Sequence, residues 1–469
     1  MIELTLPEIA ASVSGTVILP AGSDAPATIS GTVQTDSRQI VPGGVFFAKR
    51  GEETDGHLFA ADAVARGAAL VVAEHELPIA VPQIIVADTV DALGALASAV
   101  VDRARSVGDL RVIGITGSNG KTTTKNLLRA ILEQVGETVA PQGSLNNEVG
   151  APLTMLEVTA ATRFLVSEMG ASGPGEIARL VALAKPDIGV VLKVGLAHAG
   201  MFGGIEATQA AKSEMVRDLP PTALAVLNRD DLRVAQMAEI TQARVVWFGL
   251  DPRADVRATD VVSSARGTTF TIAFPSGAQR EVAFRVLGEH HVYNALAAAA
   301  VADALGVDAD TIVRGLESVQ RAERWRMEVM GGARGVTIIN DAYNASPDSM
   351  AAALKTLARI AEPGQRTVAV LGEMAELGEV AGPEHDEIGL LAVRLNIGQV
   401  VVVGAGARRM HISTINEGSW DGESLYADTP DEAFELLART LKSGDLVLVK
   451  SSKSAGLRFL GDRLGELFS

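Results

Sequence analysis

The chain has 469 residues, 47% hydrophobic but only 4% aromatic, with a formal net charge of −16. At ~100–200 residues per domain this length calls for three domains, and the acidic balance argues against a general binder of nucleic acid or anionic membrane, which needs clustered Lys and Arg. The absence of cysteine excludes disulfides and thiolate chemistry, while an N-terminus without a basic and apolar leader and the lack of any apolar run near ~20 residues lead us to expect a cytoplasmic protein with no membrane insertion.

Residues 1–108 hold short apolar runs at 45–50, 70–73 and 83–89 between Gly- and Asp-containing turns and Ala-rich helical stretches, which predicts a small α/β N-terminal domain. The pattern restarts at RVIGITGSNGKTTTKNLLRAILEQVG, and a second domain is expected over 109–325. Its strand candidates lie at 163–170, 187–194, 223–228 and 245–249, with helices between them, as parallel crossovers require. From Asp255 to Gly288 the residues alternate in character, with breaks at Arg266-Gly267 and Ser276-Gly277, so an antiparallel β-insert is predicted there. The segment 294–306 has the composition of a buried helix. A last alternation, with strands at 336–341, 366–372, 399–404 and 445–450, predicts a C-terminal Rossmann-like domain over 326–469. The expected fold class is thus three-domain α/β with a central P-loop domain on a parallel sheet.

Gly117-Ser118-Asn119-Gly120-Lys121-Thr122-Thr123 falls where a strand ends and a helix begins, so its backbone N–H groups can cradle phosphate oxygens. Lys121 would neutralise the β- and γ-phosphates and the Thr122 hydroxyl would bind magnesium, which makes ATP the expected nucleotide. Ile115 stands where the standard motif has its first glycine. The plainer alternative is a glycine turn with a solvated lysine. Glu168 and His198 fall just past apolar strand runs and can face the same phosphates. Magnesium favours oxygen ligands, so Glu168 suits it better than His198, which by chemistry alone is a loop histidine.

TGSNGKTTTK, NNEVGAPLT, SEMG, GLAHAG, AKSE, YNALAAAA and NDAYNASPDSM, in that order, resemble the Mur ligase family across essentially the whole chain. The resemblance implies ATP-dependent amide-bond formation, with Glu168 and His198 as ligands of two magnesium ions and Lys212 as a lysine that is carbamylated into an oxygen ligand. The bland reading of Lys212 is a surface lysine paired with Glu214 or Glu206. The family pattern further implies Asn294 for adenine, with Arg326 and Asp341 reaching the nucleotide from the third domain. Asn294 can instead cap the helix that follows it, and Arg326 and Asp341 can form a structural ion pair.

For substrates, TDSRQIVPGGVFFAKRG resembles the family's uridine-diphosphate loop, with Thr35, Ser37 and Arg38 as contacts. Asp36 and Ser37 can equally stabilise a turn. Asn146 and Asn147 offer donors and acceptors to a sugar-peptide, or else hold an irregular loop. Asp341 to Pro347 match the D-x-Y-N-A-x-P pattern of the branch that adds D-alanyl-D-alanine to a UDP-N-acetylmuramoyl-tripeptide, with Tyr343, Asn344 and Ser346 as candidate contacts. Ser346 replaces a common Asn, Lys193 another, and the KSSKSAG stretch leaves Lys450 and Lys453 without an assigned role. The rivals are a Mur ligase adding another amino acid, a folylpolyglutamate-type ligase, and a switching P-loop NTPase. A monomer is expected.

Overall fold

The computed structural model describes residues 1–20, 28–51, 54–196, 204–320, 323–417 and 420–469. Three sheets organise it. The first has strands β1 (Thr16–Ile18), β2 (Val33–Gln34), β3 (Val45–Phe47), β4 (Leu70–Ala73) and β5 (Gln83–Ile85) in the order β1-β5-β4-β3-β2, parallel except where β1 meets β5.

The central sheet is larger. It is built from β6 (Arg111–Thr116), β7 (Thr138–Val139), β8 (Phe164–Glu168), β9 (Ile188–Val191), β10 (Leu224–Asn228), β11 (Arg244–Gly249), β12 (Val256–Ser264), β13 (Gly267–Ala273) and β14 (Gln279–Phe284). Their order is β14-β13-β12-β11-β10-β9-β6-β8-β7. Strands β8 and β9 are buried along their whole length, which is why neither alternates apolar with polar residues, and β8 turns polar only at Ser167 and Glu168, the end that reaches the cavity. The predicted antiparallel insert is present as β12 to β14, and it is no separate unit. Its first strand pairs in parallel with β11 through Phe248 and Val256, so the insert extends the central sheet.

The third sheet contains β15 (Glu328–Gly331), β16 (Thr337–Asn340), β17 (Thr367–Leu371), β18 (Gln399–Val403), β19 (Glu423–Ala427) and β20 (Leu446–Lys450), ordered β15-β16-β20-β17-β18-β19. All pairs but β15–β16 are parallel.

Packing joins what the sheets separate. One apolar cluster runs from Ile2 through Leu93, Leu96 and Val100 of the helix Thr89–Val107 into Met155, Leu180 and Leu219 beneath the central sheet. On the opposite face the helix His290–Ala304 buries Ala295 to Ala302 completely, and its small side chains allow close approach to the helix Lys121–Leu132. That contact places Asn294 directly over the turn after β6. Among the described residues no helix is long and apolar enough to cross a membrane.

Candidate active site

The turn from β6 into the helix Lys121–Leu132 depends on Gly120, which holds φ at +90°, a conformation that L side chains rarely adopt. A Cβ there would also run into Asn294 Oδ1, so glycine is required twice over. Ser118 ties the turn to its neighbour: its N–H donates to Lys193 O at 2.8 Å, and its hydroxyl donates to Gly195 O at 3.0 Å while accepting from Gly195 N at 2.9 Å. Lys121 Nζ donates to Gly117 O at 2.7 Å, folded back over the loop where a phosphate would draw it out. Burial pushes its amine down from the ordinary lysine range, Arg326 adds to this, and Glu168 opposes it.

Glu168, at the end of β8, is buried and fully engaged. The Thr122 hydroxyl donates to its Oε2 at 3.0 Å and Asn146 Nδ2 to its Oε1 at 2.7 Å. Thr123 is buried beside them. Asn147 Oδ1 accepts from Gly150 N at 2.8 Å, which starts the helix Gly150–Met155. Both asparagines therefore hold the loop and line the cavity at once.

Lys212, on the helix Ile205–Arg217, is 2% exposed and is not the surface lysine of the bland reading. Burial first, then the charge of Lys121, lower its amine to about 7, against the opposing pull of Glu176 and Glu214. The Glu214 carboxylate meanwhile accepts from Gly175 N at 2.7 Å and Ala178 N at 3.0 Å at the start of the helix Glu176–Ala184. His198 lies outside the described residues.

Asn294 is not a helix cap. The helix begins at His290, four residues before it, and Asn294 Nδ2 meets His291 Nδ1 at 3.0 Å. His291 Nε2 is buried with no hydrogen-bond partner, and burial lowers both histidines, His290 to about 4, so both are neutral near pH 7. Arg326 and Asp341 likewise do not pair with each other. Lys450 Nζ takes Asp341 Oδ2 at 2.6 Å and Asn344 O at 3.1 Å, while Asp341 Oδ1 accepts from Met327 N at 3.0 Å. Arg326 instead lies 4.3 Å above the Tyr343 ring, extends Nη2 to 3.5 Å from Thr122 Oγ1, and leaves its buried Nε without a partner.

Residues from the second and third sheets thus surround one cavity of about 760 Å³, lined by Ser118 to Thr123, Asn146, Asn147, Glu168, Asn294, Arg326, Asp341, Tyr343, Asn344, Ser346 and Lys450. Contacts across the two sheets close it, among them a hydrogen bond of 2.9 Å shared by Ser144 and Tyr343, the Lys193–Asp348 pair at 2.9 Å, and the Ser346 hydroxyl 3.5 Å from Asn119 Oδ1. A glycine turn at a helix start, a half-buried lysine and unpartnered donors at Arg326 and His291 suit a nucleoside triphosphate in size and charge.

Thr35, Ser37 and Arg38 do not line this cavity. Asp36 accepts from Arg38 N at 3.0 Å and from Arg38 Nε at 2.9 Å, so the turn-stabilising reading of Asp36 describes what is seen, and the guanidinium keeps that carboxyl well below its usual range. Sequence reasoning passed over His290, His291 and Ser144, and named Lys450 without giving it a role. Only His291 left a signal, three residues before Asn294 on the same helical face.

Comparison with known proteins agrees with the site. Three family models match in order: the Mur ligase family catalytic domain over residues 31–106, the Mur ligase middle domain over 115–302, and the Mur ligase glutamate ligase domain over 325–453. The chain is 44% identical to the UDP-N-acetylmuramoyl-tripeptide–D-alanyl-D-alanine ligase of Mycobacterium bovis, covering 99% of this chain and 98% of that protein. It is 36% identical to the ligase of the same name from Escherichia coli, over 91% of each. Among solved structures, MurF from Acinetobacter baumannii superposes with a TM-score of 0.88 at 31% identity over 99% of both chains. MurF ligase from Thermotoga maritima in complex with ADP gives 0.80 at 28% identity, over 94% of this chain and 97% of that one. With a phosphate loop, a buried carboxylate and a third sheet closing over both, the chain belongs to the Mur ligase family of ATP-dependent amide-forming ligases.

Proposed function

We propose that this enzyme joins the terminal carboxylate of UDP-N-acetylmuramoyl-tripeptide to the amine of D-alanyl-D-alanine, giving the UDP-muramoyl-pentapeptide used in peptidoglycan synthesis. The observation that carries this reading is the 44% identity, across 99% of the chain, with the Mycobacterium bovis ligase of that name. The carboxylate attacks the γ-phosphorus of ATP and ADP leaves, forming an acyl phosphate; the amine then attacks the acyl carbon, inorganic phosphate departs and the ammonium proton is released.

In this reading Lys121 leaves Gly117 O and follows the charge that develops on the transferring group. Gly117 to Thr123 cradle the phosphates, Asn294 holds adenine, and Arg326 and Asp341 contact the nucleotide from the third sheet. Thr122, Glu168 and His198 would hold two magnesium ions, which supply neutralisation of phosphate charge. An amine lowered to about 7 is partly neutral at physiological pH and can add CO₂ with loss of a proton, which supports carbamylation of Lys212 as a further oxygen ligand. Thr35, Ser37 and Arg38 take the uridine diphosphate, Asn146 and Asn147 the sugar-peptide, and Tyr343, Asn344 and Ser346 the dipeptide. The same reading divides the chain after residues 108 and 325, and makes it a cytoplasmic monomer.

Phosphate release from ATP and magnesium, with UDP-muramoyl-tripeptide and either D-alanyl-D-alanine or single amino acids, tests it, with the product confirmed by mass. Release that depends on the dipeptide is the expected result. Release with a different amine would overturn the substrate, and release needing neither acceptor nor amine would favour a switching NTPase.

A further inference from the structure

The helix that starts at the phosphate loop carries a second lysine one turn beyond Lys121. Lys125 is 1% exposed, and its ammonium donates to Pro141 O at 2.7 Å and Gly143 O at 3.2 Å. Among the described residues no carboxylate lies within ion-pair distance of it. Burial pushes its amine down from the ordinary range, with Glu168 and Glu323 opposing from further away. A buried ammonium held only by carbonyls is expensive, and a methionine would fill the same space without desolvating a charge. What distinguishes lysine here is its two directed bonds.

Both bonds end on one turn. Beyond Gly143 the chain runs through Ser144, hydrogen-bonded to Tyr343, then Asn146, which donates to Glu168, and Asn147, whose Oδ1 accepts from Gly150 N. Lys125 does not itself line the cavity, so anything it does to the reaction is done through this loop.

We infer that Lys125 is a positioning residue for the acceptor: it fastens the 141–149 loop to the phosphate-loop helix, so that the acceptor carboxylate and the γ-phosphate are held in register by one rigid element. Thr122 reaches Glu168 from the same helix, and Asn146 reaches it from the fastened loop. The two substrates are therefore indexed to a single carboxylate, and slack in the loop moves the acceptor while leaving the nucleotide in place. This rests on the reading of Asn146 and Asn147 as contacts to the sugar-peptide.

The test compares wild type with Lys125→Met and Lys125→Arg, measuring KM for UDP-muramoyl-tripeptide and for ATP separately. Loss of a charge-assisted anchor should raise the acceptor KM by about tenfold or more, with the ATP KM changed by less than about twofold. Lys125→Arg keeps the charge but displaces the donors, and should show the same selective loss in milder form. Combining Lys125→Met with Asn146→Ala should add little to Asn146→Ala alone, because the two act through one loop. Equal losses toward both substrates, no loss in either variant, or full additivity in the double variant would overturn the inference. A wild-type enzyme that does not bind the sugar-peptide at all would instead fail the substrate reading, and the inference with it.

Discussion

Two loops read from sequence as ligand sites fold to opposite designs. The phosphate loop at 117–123 is largely buried and hydrogen-bonded to other segments, Ser118 to Lys193 and Gly195 and Thr122 to Glu168, with Asn294 packed over Gly120. The loop at 35–38 is bonded mainly to itself, with Arg38 largely exposed and folded back on Asp36. The first is shaped before its ligand arrives. In the second the cation is already paired with Asp36, so a diphosphate held there as proposed would compete with that carboxylate for Arg38. On the proposed roles, preorganisation is concentrated where charge moves during the reaction, and adaptability is left where the sugar nucleotide is gripped.

Mutation at each loop should separate the two. Lys121→Ala should lower kcat by at least ~10²–10³-fold with little change in melting temperature, since the lysine serves a developing charge rather than the core. Comparable loss from Arg38→Ala in kcat, rather than in the KM for the sugar nucleotide, would erase the contrast.

Gly120→Ala sharpens it. Gly120 and Gly143 both hold positive φ, at +90° and +66°, but only at Gly120 does an added Cβ meet Asn294, whereas nothing lies near it at Gly143. Each substitution should cost ~1–2 kcal/mol in backbone strain. Only Gly120→Ala should also weaken ATP binding, which titration with a non-hydrolysable nucleotide would read.

The regions should also part company on acidification. His290 is lowered to about 4 by burial, so between about 6.5 and 4 the unfolded chain binds a proton that the folded chain refuses, and stability falls as pH drops through that window. Asp36 is shifted in the same direction, downward, but its window lies at lower pH. Its folded carboxyl sits below the unfolded value, so its contribution is present above pH ~3.9 and is lost only in stronger acid. Melting curves from pH 7 to 4 should show a decline that His290→Phe flattens and Asp36→Ala does not. The smallest effect belongs to Asp36→Ala at neutral pH, which should barely move the melting temperature, because exposed ion pairs contribute little. It should lower the KM for the sugar nucleotide by freeing Arg38.

Features carried by a continuous run of chain were legible in advance. Buried strands such as β8 and β20, and the glycine turn into Lys121, announce themselves within a few residues because strand burial and backbone geometry are local. The short edge strands β15 and β19 are half exposed and gave no such run. Pairings over long separations were not legible either. Asp341 was read with Arg326, fifteen residues away, yet its partner is Lys450 from the far end of the chain, brought alongside by the β16–β20 pairing. The helix-cap alternative for Asn294 fails because the histidines before it, which do not look like the start of a helix, are its first turn.

The apolar cluster that runs from Ile2 to the underside of the central sheet bears on how the chain is made. On the ribosome, the first hundred residues emerge with Leu93, Leu96 and Val100 facing a surface that has not yet been translated. Until Met155, Leu180 and Leu219 follow, that face has no partner and is open to chaperones or to other nascent chains. An isolated fragment ending near residue 108 would keep the same open face permanently, so it should be recovered in soluble form less readily than the chain extended through the central sheet.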